Sequence, residues 1–179
     1  MSKVEQRNIS VSDFDTKIDI YSKYFYEECA KHNITGWIIT FNALGLRTVA
    51  LTCYDGQVVE FSKYYVAVAD EHTLKQTILH EIAHILDPAD TGPQNQRHHG
   101  PEWKKQCKIV GYTGDMFYRG PPLRAKWLGK CTNCGQKLTR HKLHPKTKIK
   151  QCCGKNLIWK ERFKSRNSLM DFLQYKSDY

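Results

Sequence analysis

The sequence predicts an α+β protein in two parts: helices beside a small antiparallel sheet, followed by a small, basic, cysteine-bearing module. Three observations lead there. Apolar residues recur at helical spacing before residue 32, around residues 74–88 and after Pro101. Alternating runs between residues 37 and 61, punctuated by Asp55-Gly56, read as short strands. After residue 118 the charge balance changes abruptly and four cysteines crowd together.

The elements follow in order. Residues 1–12 read as a loose polar arm. From about Asp15 to Lys31, Ile18, Tyr21, Phe25 and Cys29 fall on one helical face, and the aromatics Tyr21, Tyr24, Phe25 and Tyr26 are assigned to core packing. His32 and Asn33 end this helix. Trp37, Ile39 and Phe41 alternate with Ile38 and Thr40, which predicts a strand, and Asn42 to Gly45 a turn. Arg47–Thr52 and Gln57–Phe61 predict two further strands joined through Asp55-Gly56. Ser62–Ala69 fits a strand or a short helix equally well. In the stretch LKQTILHEIAHILDP, residues 74–88, Leu74, Ile78, Ile82 and Ile85 are spaced 4, 4 and 3 apart, which buries a stripe. Asp70 is placed to cap this helix, Glu71 puts negative charge on its first turn, and Pro88 cannot continue it. A polar loop follows, and Pro101-Glu102-Trp103 opens another helix with Trp103, Cys107 and Val110 on one face. Gly111, Gly114, Gly120, Pro121 and Pro122 mark a boundary. The expected divisions are 1–122, a module at 123–166 and a tail at 167–179.

Bulk composition narrows the class. The 179 residues are 40% hydrophobic and 12% aromatic, enough for a core. No apolar run approaches the roughly 18 residues of a membrane span, and the polar start carries no signal-peptide segment. The expectation is therefore a monomer inside the cell, cytoplasmic or nuclear, without stable disulfides or a membrane partner. Cys29, Cys53 and Cys107 read as small buried thiols. Residues 1–118 hold 12 Lys/Arg against 15 Asp/Glu, whereas residues 119–166 hold 15 against Glu161 alone. That surplus exceeds what solubility requires and predicts phosphate contacts, hence nucleic acid bound with little sequence preference.

His80-Glu81-Ile82-Ala83-His84 is the H-E-x-x-H arrangement of zinc peptidases. On a helix the two histidines lie one turn apart and face the same point, where they can hold one metal ion. A catalytic zinc takes three protein ligands. The compact pattern with glycine at 87 and histidine at 90 is excluded, because Asp87 and Asp90 stand there. Both aspartates read as turn residues, with a hydrogen bond to a liganding histidine as the alternative. Glu102 lies at a workable distance, and His99, in His98-His99-Gly100-Pro101-Glu102-Trp103-Lys104, is the better candidate.

HEIAH followed by HGPEWK resembles the SprT-like zinc metallopeptidases, a family that includes spartan of DNA–protein crosslink repair. The upstream run VVEFSKYYV is also similar to the family's segment before its motif helix, and the resemblance spans about residues 20–165. It implies a zincin-like metallopeptidase domain in which His80, His84 and His99 bind a catalytic zinc and Glu81 is the general base. The glycine after the liganding histidine favours His99 over His98. The implied activity is endoproteolysis of DNA-bound or DNA-crosslinked proteins. Tyr112, Tyr118 and Arg119 are available to stabilise the developing oxyanion, or for packing.

In the basic module, Cys131-Thr132-Asn133-Cys134-Gly135 has the form of half a zinc ribbon. The second half, Gln151-Cys152-Cys153-Gly154, departs from the usual repeat: Cys153 aligns as third ligand, and the fourth is Cys152, His141 or His144. A structural zinc is expected there, beside the catalytic one. Trp127 and Trp159 can stack on bases or fill the module's own core. The other reading of the whole chain is a non-catalytic zinc protein that binds nucleic acid through a peptidase-like scaffold, which has no need of Glu81.

Overall fold

The structure is a computed structural model that describes residues 11–45, 47–87, 99–115, 117, 123, 125–144, 151–153 and 155–161, with backbone alone at 11, 12, 151, 152 and 155. The expected arm up to residue 10, the tail at 167–179 and the lysines and arginines at 146–150 and 162–166 lie outside these. The described residues divide into two compact units, one within residues 12–118 and one in the chain after residue 118.

In the unit of residues 12–118, the first helix, α1 (Val11–Lys31), starts earlier than the expected Asp15. Its buried face holds Phe14, Tyr21, Phe25 and Cys29, with Ile18 half-buried. Asn33 takes the left-handed conformation at φ 57° and Ile34 N–H returns to Cys29 O at 2.9 Å, which closes the helix end. Three strands follow, β1 (Ile38–Asn42), β2 (Ala50–Cys53) and β3 (Val58–Ser62). Their order is β1-β3-β2, with β3 in the middle. β2 and β3 form the expected hairpin, its turn closed by Gln57 N–H to Tyr54 O at 3.1 Å.

The sheet corrects the expectation of an all-antiparallel arrangement, because β1 pairs parallel with β3. The hairpin occupies one edge of β3 and leaves the other to β1. Asn42 lies opposite Ser62 and Ala50 opposite Phe61, so the chain leaves β1 and enters β2 at the same end of β3. Passing that end places β1 on the far side of β3, pointing the same way as β3.

The ambiguous segment is helical, as α2 (Lys63–Val68). Tyr64, Tyr65, Val66 and Ala67 are buried in succession, which explains why no period was visible. Lys17 Nζ donates to Val66 O and Ala69 O at 3.2 and 2.9 Å, tying α1 to the end of this helix. α3 (Glu71–Leu86) begins where the sequence predicts, with Asp70 Oδ1 accepting from Thr73 N–H at 2.8 Å. Leu74, Ile78 and Ile82 are almost fully buried and Ile85 half-buried. α4 (Pro101–Val110) carries Pro101 in its first turn, buries Trp103, Cys107 and Val110, and ends on Gly111 at φ 74°. α3 packs against both α4 and β2. That placement leaves the HEIAH face between a helix and a sheet edge.

The second unit holds an antiparallel sheet of β4 (Trp127–Cys131), β5 (Lys137–Arg140), β6 (Gln151–Cys152) and β7 (Lys155–Glu161), in the order β5-β4-β7-β6. Cys131 and Leu157, paired across β4 and β7, are buried. Trp159 lies over Gly129, where a side-chain carbon would sit 2.9 Å from the indole. Trp159 is thus packed within its own sheet. No helix among the described residues is long and apolar enough to cross a membrane.

Candidate active site

Helix α3 delivers His80, Glu81 and His84 from consecutive turns, as the one-turn spacing dictates. The third group comes from the residue before the cap of α4. His99 precedes Gly100, whose extended backbone and Pro101 fix the direction of entry, and α4 then packs on α3. The three Nε2 atoms form a triangle with every side 3.2 Å. Tetrahedral zinc with Zn–N bonds of about 2.0–2.1 Å needs ligand nitrogens about 3.3–3.4 Å apart. The triangle fits that requirement.

Aromatic rings wall the triangle. The Trp103 ring centre lies 4.9, 5.4 and 4.4 Å from those of His80, His84 and His99. Tyr112 stands 5.2 Å from His80, and the exposed Phe117 5.3 Å from His99. Burial, followed by the neighbouring His84 and His99, pushes the His80 imidazole down to about 3. At neutral pH His80 therefore keeps the uncharged form that metal binding requires.

Glu81 is only 5% exposed, and its Oε2 accepts a 2.7 Å hydrogen bond from Thr52 Oγ1 on β2. From the adjoining turn, Tyr54 Oη donates to His84 O at 2.9 Å. Beyond α4, Thr113 N–H and Oγ1 reach Gln76 Oε1 at 2.7 and 3.2 Å, which fastens that loop to α3. Tyr112 Oη donates to Asp115 O at 2.6 Å, and burial pushes its phenol up to about 12.

A family model described as the SprT-like family matches residues 18–127. The chain belongs to the SprT-like family. No curated protein and no solved structure matches it significantly. The family match in this SprT-like chain includes all three histidines and Glu81 and stops short of the cysteines at 131–153.

The structure brings together His80, His84 and His99, three residues that can share one metal ion. Glu102 does not join them: its carboxylate pairs with Lys105 at 2.7 Å. Asp87 caps the end of α3, where its backbone N–H bonds His84 O at 3.1 Å and the residue is 2% exposed. His98, Asp90, Tyr118 and Arg119 lie outside the described residues. Nothing local in the sequence marks Thr52, Tyr54 or Thr113 as neighbours of the motif helix, since their partners lie 29, 30 and 37 residues away. Trp103 reads in the sequence only as part of a core stripe.

A second candidate metal group lies in the other unit. The Sγ atoms of Cys131, Cys134 and Cys153 lie within 4.8 Å of one another, with Cys131 and Cys153 at 3.7 Å. Four thiolates around zinc at about 2.3 Å stand about 3.8 Å apart, a spacing that the Cys131–Cys153 pair meets. Gly135 at φ 70° lets the chain turn back, and Gly135 N–H bonds Cys131 O at 3.1 Å. Hydrogen bonds from the backbone of Cys134 and Asn133 lower the Cys131 thiol to about 7, which favours the thiolate. Among the described residues neither His141 nor His144 joins the group. The Cys152 backbone is on β6, and its side chain lies outside them.

Proposed function

We propose that this chain is a zinc-dependent endopeptidase recruited to DNA, which cleaves proteins bound or crosslinked to it. The observation that carries the reading is the triangle of Nε2 atoms beside a hydrogen-bonded Glu81 in a member of the SprT-like family. His80, His84 and His99 would hold the zinc. Bound there, zinc supplies Lewis acidity toward the scissile carbonyl and acidifies water. The Glu81 carboxylate accepts the proton of the attacking water and hands it to the leaving amine. The aromatic wall of Trp103 and Tyr112 keeps bulk water from the back of the histidines.

The DNA arm of the reading rests on charge and its arrangement. Lys130 and Lys137 are opposite one another across β4 and β5, with Ile158 opposite Lys130 on β7. Alternation places Lys160 on this same face, away from Trp127 and Trp159. Opposed lysines repel each other, and a phosphate backbone lying across the face relieves that repulsion. Cys131, Cys134 and Cys153, with Cys152 as the fourth ligand, would hold a structural zinc beneath it.

The test is cleavage of a DNA-binding protein by purified protein, with and without DNA. Wild type cleaves faster with DNA, Glu81→Gln is inactive, and replacing Lys130, Lys137 and Lys160 by Glu removes the stimulation. Equal behaviour of wild type and Glu81→Gln eliminates the enzyme and leaves the zinc-containing nucleic-acid binder.

A further inference from the structure

We propose that Thr52 is the positioning residue of Glu81: its hydroxyl holds the carboxylate in the orientation that accepts a proton. This rests on the reading of Glu81 as the general base. Glu81 reaches its carboxylate through flexible torsions, and on a helix several rotamers are open to it. One of its oxygens, Oε2, is hydrogen-bonded to Thr52 Oγ1 at 2.7 Å. The donor is well placed to resist drift. Thr52 sits on β2, which is hydrogen-bonded to the central strand β3 opposite the buried Val59, and β-branching restricts its own rotation. β2 in turn packs on α3, and Tyr54 Oη clasps the His84 carbonyl one turn beyond Glu81. The sheet edge therefore grips the motif helix at two points, one on a side chain that does chemistry and one on its backbone. A hydroxyl donating to an ionised carboxylate is among the stronger side-chain hydrogen bonds, and its direction selects one rotamer.

Thr52→Val keeps the branched shape and removes the donor, whereas Thr52→Ser keeps the donor and removes the methyl group. For full-length, zinc-loaded protein, Thr52→Val is expected to lower kcat about 10-fold or more with KM unchanged, since misplacement of a reacting group by about 1 Å can cost about 100-fold. Thr52→Ser is expected to restore kcat to within about 3-fold of wild type, because the hydrogen bond survives. A second readout needs no activity. In thermal melts, the drop caused by Thr52→Val in wild type should disappear or reverse in a Glu81→Ala background, as expected for two groups in direct contact. An active wild type with additive melting shifts overturns the role of Thr52 alone. So does a Thr52→Val variant with normal kcat, or one altered only in KM. A wild type without peptidase activity overturns the general-base reading and the role of Thr52 with it, while coupled melts would still identify the contact.

Discussion

Trp103 is the residue whose removal most sharply tests how the histidine triangle is held. Its ring lies within 5.4 Å of all three imidazole centres and within 5.9 Å of the Tyr112 ring, and the residue is 2% exposed. Trp103→Ala removes that buried ring and costs about 3–5 kcal/mol. At about 4–8 °C per kcal/mol for a unit of this size, the melting temperature should fall by roughly 12 °C or more. Trp103→Phe keeps a ring in place and should lose about half of that or less. Melts on chelator-treated protein separate ring packing from metal binding. Zinc affinity, measured by competition with a chromophoric chelator, should weaken about 10-fold or more in the alanine variant, the scale of effect seen when ligand-orienting groups are lost. An alanine variant that melts within about 2 °C of wild type and binds zinc equally well would refute the claim that Trp103 organises the site.

Other consequences are directly measurable. In metal-free protein the folded state holds His80 down to about 3, while the unfolded chain protonates it near the ordinary 6.5. The unfolded state therefore takes up the proton first, so stability is fully present above pH 6.5 and falls as the pH drops toward 3, by at most about 1.4 kcal/mol per pH unit from this group. The urea midpoint should be lower at pH 5 than at pH 7.5, and an unchanged midpoint would contradict the burial of a neutral imidazole. Asp70→Ala removes the cap bonded to Thr73 N–H and should cost about 1 kcal/mol in a denaturant melt, with no change in zinc content. Cys131→Ser should release the metal of the cysteine group and leave zinc at the histidines, so metal analysis on the variant should find the histidine site still loaded.

The motif helix was readable because its signals are local. Asp70, the stripe of Leu74, Ile78 and Ile82, and the one-turn spacing of His80 and His84 all act within a few residues of one another. The same holds for α4, announced by Pro101 and closed by Gly111. His99 was accessible through the HGPEWK motif rather than through any period. Pairing across the chain was not accessible. The Asp55-Gly56 turn specifies the β2–β3 hairpin, but nothing near Trp37–Phe41 says that β1 takes the other edge of β3 and runs parallel to it. Thr52 was hidden for the same reason, because its partner belongs to a helix formed 29 residues later. α2 escaped assignment because burial on all sides erases periodicity.

The central claim is that the histidine triangle and Glu81 form one hydrolytic centre, and stepwise zinc reconstitution tests it most directly. Chelator-stripped wild type and Glu81→Gln are titrated with zinc while bound metal and cleavage of a DNA-bound protein are followed together. The account predicts that both proteins load the histidine site alike, and that cleavage rises with loading in wild type but stays absent in Glu81→Gln. Cleavage that persists without zinc, or that is equal in the two proteins at full loading, would contradict it.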